Sequence, residues 1–217
     1  MIISHSLAEL IVQELRPRIW DGEIPAETRL TETELAQEFQ VSRSSVREAL
    51  HLLEHEGLVD IIPRRGAFVR RFTAQDLEDL YAVRVLLETY AFQEASHRIT
   101  EEGYQDLMHI LESMEQAFAS DDWRSLGDLD LTLHFTVVQW SGNAMVVRLY
   151  ESIRSPIRAS MGIPRSKGQR RDLVVAEHRR LIHALRSGDQ EAIRQAVTTN
   201  LQDGKILAQQ RRGAGQS

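Results

Sequence analysis

The sequence predicts a mainly α chain in two parts. Residues 1–72 form a small helical domain that carries one β-hairpin, and residues 73–217 form an antiparallel all-helical bundle. Three observations predict this. β-prone stretches occur only at Leu58 to Ile62 and Ala67 to Arg71. Apolar residues recur at helical spacing through nearly all the rest. The two patterns meet near residue 72.

Residues 4–20 read as a helix, with Leu7, Leu10, Ile11, Leu15 and Ile19 on one face. Gly22 and Pro25 end it. Thr31 followed three residues later by Glu34 has the form of a capping box, which opens a short helix over Glu32 to Phe39. Gln40 and Val41 make a brief turn. Ser42 caps a third helix over about 43–56, stopped by Gly57. Pro63, Arg64, Arg65 and Gly66 between the two β-prone runs read as a hairpin turn.

Beyond residue 72 the boundaries are again local. Thr73 with Asp76 caps a helix to about His97, and Thr100 before Glu101 and Glu102 opens one to about Ala119. Asp121 opens another, to about Ser141. Gly142-Asn143 separates it from one ending near Met161. Pro164 to Gly168 reads as a loop. Helices over about 169–187 and 189–209 follow, divided at Ser187-Gly188, and Arg211 to Ser217 reads as a frayed tail.

Composition excludes several classes. The chain has 217 residues, 42% hydrophobic and 27% charged, with no cysteine, so disulfide scaffolds, thiolate metal sites and thiol nucleophiles are excluded. No apolar run approaches the roughly 18 residues of a membrane span. The first twenty residues lack the pattern of a signal peptide, which points to a cytoplasmic protein. The net charge of −6 argues superficially against a nucleic-acid partner. Yet Arg64, Arg65, Arg70 and Arg71 cluster at the hairpin, and distribution counts for more than the sum.

A short helix, a tight turn and a second helix with an apolar back make a helix-turn-helix. The apolar back is Val46, Leu50 and Leu53. Arg43 and Arg47 lie four apart on the other side, where a guanidinium can donate two hydrogen bonds to guanine O6 and N7. Ser42 and Ser44 suit phosphate oxygens at the helix N-terminus. Arg64, Arg65 and Gly66 at the hairpin tip make a wing that can reach phosphates or the minor groove. The plainer alternative is an ordinary surface helix with solvated arginines.

In the bundle, polar residues sit on apolar stripes. Asp130 and His134 share a helix face with Leu126, Leu133 and Val137. His178 lies on the stripe of Val174, Leu181 and Leu185, Asn200 on that of Ile193, Val197 and Leu207, and Arg84 on that of Leu77, Leu80, Leu87 and Ala91. Buried polar groups need partners. These side chains could converge on a divalent ion. Equally, each His could bond a backbone carbonyl, and Arg84 could pair with Glu88 one turn on. The other histidines, His5, His51, His55, His97, His109 and His183, read as surface or packing residues.

The run from Ile24 to Val69 resembles the winged helix-turn-helix domain of the GntR family of bacterial transcription regulators. The matching residues are Leu30-Thr31-Glu32, Leu35-Ala36, Val41-Ser42-Arg43, Val46-Arg47-Glu48-Ala49-Leu50, Glu56-Gly57-Leu58 and Arg65-Gly66. Ser45 stands where the family often has proline and Gln40 where it often has glycine. Tyr81 to Ala95, Asp128 to Asn143 and Glu177 to Asp189 resemble the FCD effector domain of the FadR-type subgroup. The resemblance implies a homodimer on a palindromic operator in double-stranded DNA. It implies base reading by Arg43 and Arg47, with support from Ser42, Ser44, Arg64, Arg65 and Gly66. It also implies a small effector, an organic acid by class, with its carboxylate on Arg84. Asp130, His134 and His178 match three ligands of a divalent ion of zinc or nickel type, and Asn200 stands where a third histidine is expected. Two other readings stay open: a metal-free regulator sensing an acyl thioester, and a metal-dependent hydrolase with Glu177 as its acid.

Overall fold

The structure is a computed structural model that describes residues 6–161 and 172–213. The chain divides into two compact units, Met1–Phe72 and Thr73–Ser217.

The first unit contains α1 (Leu7–Trp20), β1 (Arg29–Leu30), α2 (Glu32–Glu38), α3 (Arg43–His55), β2 (Val59–Ile62) and β3 (Gly66–Val69). Ser6 starts α1: its hydroxyl accepts from the Glu9 N–H, and the Glu9 carboxylate accepts from the Ser6 N–H. α1 packs on α3, and Ile11, Val12 and Leu15 of the first helix and Val46, Leu50 and Leu53 of the second are all buried. The sheet order is β1-β3-β2, antiparallel throughout, with Val59 opposite Val69 and Leu30 opposite Ala67. β1 leaves no signal in the sequence, because its two residues are too few to show a strand period.

Thr31 corrects the expected capping box. Its side chain accepts no backbone hydrogen bond; its hydroxyl donates instead to the Glu34 carboxylate. The turn after α2 is a Schellman motif. The Val41 N–H donates to the Ala36 carbonyl, the Gln40 N–H to the Gln37 carbonyl, and Gln40 takes φ 55°. Gly57 ends α3 in the same way at φ 72°. Gln40 therefore holds a left-handed conformation that glycine adopts without strain.

The second unit contains α4 (Ala74–Ser96), α5 (Glu101–Ala119), α6 (Trp123–Trp140), α7 (Ala144–Met161), α8 (Asp172–Ser187) and α9 (Gln190–Gly213). Thr73 and Asp76 make the expected capping box. The Asn143 side chain accepts from the N–H groups of Met145 and Val146 and starts α7. α4 is the central helix, packed against α6, α7, α8 and α9. That position explains why it buries Arg84 and Glu88 as well as Leu77, Ala91 and Phe92. α9 continues to Gly213, past the expected end at 209. The expected Pro164–Gly168 loop, residues 169–171 and residues 214–217 lie outside the described residues. Among the described residues, no helix is long and apolar enough to cross a membrane.

Candidate functional site

In the first unit the N-terminus of α3 is a polar, exposed edge. The Ser42 hydroxyl accepts from the Ser45 N–H at 3.2 Å and lies 2.8 and 2.9 Å from the hydroxyls of Ser44 and Ser45. Arg43 is the first helical residue, and Arg43 and Ser44 are exposed. Arg47 is 61% exposed along its side chain, yet it is not free. Its Nε donates to Glu32 Oε1 at 2.7 Å and its Nη2 to Glu32 Oε2 at 2.6 Å. At the hairpin tip the Arg65 N–H donates to the Ile62 carbonyl across Pro63 and Arg64. Arg64 has φ 64°, the left-handed third position that follows proline in a type II turn. Arg64 and Arg65 are exposed. Gly66, at φ 104°, lies where a Cβ would come 3.4 Å from Arg29 Nε.

In the second unit four helices bring ionisable groups into one chain of contacts. Arg84 Nε donates to Glu88 Oε1 at 2.7 Å, and the Tyr150 hydroxyl donates to the same oxygen at 3.1 Å. Glu88 Oε2 lies 2.5 Å from His134 Nδ1. His134 Nε2 lies 3.3 Å from His178 Nε2, which in turn is 2.9 Å from Asp130 Oδ1. His178 Nδ1 donates to the Val174 carbonyl at 2.7 Å. Arg84 also stacks its guanidinium over the Tyr81 ring. Arg84, Glu88, His134 and His178 are at most 2% exposed.

The charges follow from these contacts. Burial alone would raise the Glu88 carboxyl, but Arg84 and His134 outweigh it and hold the group at about 2. Burial likewise works against the Asp130 charge, and His178 overcomes it, holding Asp130 below the usual carboxylate range. For His178 burial favours the neutral ring, and the carboxylate of Asp130 reverses that and raises it. Burial, then the Glu88 charge, pushes the Tyr150 phenol well up, so it remains a donor.

Proton placement decides what this group fits. A carbonyl only accepts, so His178 Nδ1 carries a hydrogen. His134 Nδ1 faces a carboxylate oxygen, so it carries one too. In the neutral rings both Nε2 lone pairs then point across 3.3 Å, which is repulsive without a cation between them. A proton on His178 Nε2, shared with Asp130, is one such cation; a divalent metal ion is another. Among the described residues, Asp130 Oδ2 is buried without a hydrogen-bond partner, and so, despite their 2.5 Å approach, are Glu88 Oε2 and His134 Nδ1, which meet outside hydrogen-bond geometry. The ligand atoms of Asp130, His134 and His178 lie within 4.8 Å of one another. His178 is oriented by a hydrogen bond through Nδ1, as metal-bound histidines usually are, and His134 Nδ1 lies beside the Glu88 carboxylate. The residues fit a divalent ion.

The structure brings together Asp130, His134, His178 and Arg84. Asn200 is buried on α9, and no hydrogen bond among the described residues joins it to them. Glu177 is buried with its carboxylate on Arg180 of its own helix, at 2.5 Å. His51, His55, His97, His109 and His183 are exposed, while His5 lies outside the described residues. Sequence reasoning gave Glu88 only the part of a pairing partner for Arg84 and did not single out Tyr150. The i, i+4 spacing to Arg84 was the one signal for Glu88; Tyr150 offered none.

Comparison with known proteins gives these two units a context. Residues 7–69 match "Bacterial regulatory proteins, gntR family", and residues 79–203 match "FCD domain". The chain is 31% identical over 199 residues to the gluconate operon transcriptional repressor of Bacillus subtilis (strain 168), covering 89% of this chain and 81% of that one. It superposes on E. coli McbR/YncC with a TM-score of 0.82 at 19% identity, over 96% of this chain and 100% of that one, which shows the shared fold. A putative GntR transcriptional regulator from Rhodococcus sp. RHA1 gives 0.81 at 25% identity, over 97% and 99%. With a winged helix-turn-helix in its first unit and an FCD domain in its second, the chain belongs to the GntR family of bacterial DNA-binding transcription regulators.

Proposed function

We propose that the chain acts as a homodimer on a palindromic operator, and that a small organic acid in the FCD interior, beside a divalent ion, sets how tightly the operator is held. The observation that carries this reading is the buried ionic group of Arg84, Glu88, Asp130, His134 and His178. Such groups are costly to bury and no more stabilising than a well-packed apolar core of the same volume, and buried, strongly perturbed ionic groups cluster at functional sites.

Asp130, His134 and His178 would hold the ion, with Asn200 completing the set weakly through its amide oxygen or a water. With neutral histidines, one guanidinium against two carboxylates leaves the group at −1, and a divalent ion brings it to +1. When bound, the ion supplies a positive Lewis-acid point for the effector's carboxylate. Arg84 spends its Nε on Glu88, which leaves its terminal nitrogens to meet the same carboxylate. Arg43 and Arg47 read base edges, and Ser42, Ser44, Arg64, Arg65 and Gly66 support phosphate or groove contacts. All of these but the half-buried Gly66 are exposed, which suits these roles, though Ser42 also holds the helix cap with its oxygen. The effector regulates only if it binds one pose of the DNA-binding domains better than another.

A second copy fits an exposed apolar surface on the second unit. Val83, Leu86 and Tyr90 of α4 and Met145 and Leu149 of α7 are all exposed, and Leu86 is 73% so. The Asn143 amide donates to the Tyr90 hydroxyl and ties the two helices together there. Patches of this kind mark interfaces.

The test is a zinc and nickel titration of chelator-stripped protein against a metallochromic competitor. It is followed by binding to a duplex selected from a random pool, with and without metal and a panel of small organic acids. We expect a bound metal and an acid that shifts operator affinity only when metal is present. If neither wild type nor Asn200→His binds metal, the ionic group is a hydrogen-bonded network or contacts the effector directly.

A further inference from the structure

We infer that Glu32 is a positioning residue for DNA reading: it grips one edge of the Arg47 guanidinium so that the other edge is presented as a fixed fork to a guanine. The inference rests on the base-reading role of Arg47 and adds a residue to it.

A guanidinium is planar and carries five N–H donors in a fixed arrangement. Glu32 takes the side edge, binding Nε and Nη2 with its two oxygens at 2.7 and 2.6 Å. What remains is the end edge, one hydrogen on Nη1 and the second on Nη2. That pair matches the spacing of guanine O6 and N7. The two residues come from different helices, 15 positions apart. Glu32 opens α2 and Arg47 lies in the second turn of α3, so the grip locks the recognition helix to its partner helix through the reading side chain itself. The Glu32 carboxyl is held low, first by the Arg47 hydrogen bond and also by the nearby charges of Arg47 and Arg43, so it is an anion at neutral pH.

The opposing expectation has the opposite sign. An acid near the DNA repels phosphates, and an arginine held by a carboxylate has less charge to offer. If Glu32 merely sequesters Arg47, removing its charge tightens binding to every sequence. If it positions Arg47, removing it loosens only the cognate duplex, because the side chain must then be ordered on binding.

The experiment measures affinity of the full chain for the selected duplex and for a scrambled one at fixed salt, in wild type, Glu32→Gln, Arg47→Ala and the double variant. Arg47→Ala should cut the cognate-to-scrambled ratio by roughly fivefold or more. Glu32→Gln should cut it by about two- to tenfold, the range that ordering one long side chain is worth. The scrambled affinity should be equal or slightly tighter, which also shows that the variant is folded. The double variant should match Arg47→Ala alone. Replacing single guanines by 7-deazaguanine should cost wild type more than Glu32→Gln at one position per half-site. An unchanged ratio in Glu32→Gln, or tighter binding to both duplexes alike, overturns the positioning role while leaving Arg47 as a reader. An unchanged ratio in Arg47→Ala removes the reading role itself.

Discussion

Glu88→Gln removes one charge from the interior of the second unit and keeps the shape. Glu88 is 0% exposed and its partner Arg84 2%. In wild type Oε1 accepts from both Arg84 Nε and the Tyr150 hydroxyl, and Oε2 faces His134 Nδ1. The amide keeps one accepting oxygen but turns its NH₂ toward one of these donors, and it leaves the guanidinium with no adjacent anion. Breaking a buried pair by removing one partner costs about 3–5 kcal/mol. The retained oxygen, and Asp130, whose charge Arg84 also senses, offset part of this. We expect about 3 kcal/mol. With a urea m-value of about 2 kcal/mol/M for a unit of this size, the midpoint falls by about 1.5 M. Trp123 and Trp140 report this unit, and a Trp20→Phe background silences the first one. The measurement is urea unfolding by tryptophan fluorescence in metal-free buffer. A midpoint shift below about 0.3 M, with m unchanged, would refute the reasoning, because it would mean that Arg84 is satisfied without Glu88.

Other consequences are open to direct measurement. Gln40→Gly should stabilise the first unit by about 0.5–1 kcal/mol, the left-handed strain it relieves less the flexibility it adds to the unfolded chain; an unchanged melting temperature would show no strain at φ 55°. Arg64→Ala should weaken cognate and scrambled duplexes alike, as a phosphate contact does, whereas Arg43→Ala should cost about 1–3 kcal/mol on the cognate one alone. Metal affinity should fall as pH drops through the histidine range, because a protonated imidazole cannot ligate and metal binding must expel the proton that His178 shares with Asp130; His178→Ala should lose most of the affinity, and a pH-independent titration would place the metal elsewhere. Leu86→Glu should shift sedimentation at micromolar concentration from a dimer toward a 25 kDa species, and a persistent dimer would move the interface off α4.

Much of the fold was legible in the sequence because its causes are local. The Thr73–Asp76 box, Gly57 after α3 and the Ser42 cap act within three or four residues of where they are written, and the apolar stripes of α3 and α6 repeat at the helical period. Asp130 and His134 could be placed together for the same reason, one turn apart on one helix. Tertiary structure alone decided what lies across from them. His178, 44 residues from His134, meets it Nε2 to Nε2 because α6 and α8 are brought close within the bundle. Glu88 becomes the link between Arg84 and His134, and Tyr150 its second donor, 62 residues away. Arg47 turns out to be held by Glu32, and Thr31 turns to the carboxylate of Glu34 in place of a backbone N–H. Each is a side chain choosing among partners of similar energy. Helix periods and caps are set by backbone sterics and hydrogen bonds that the adjacent residues already contain. The choice among polar partners depends on distances that exist only once the helices have packed.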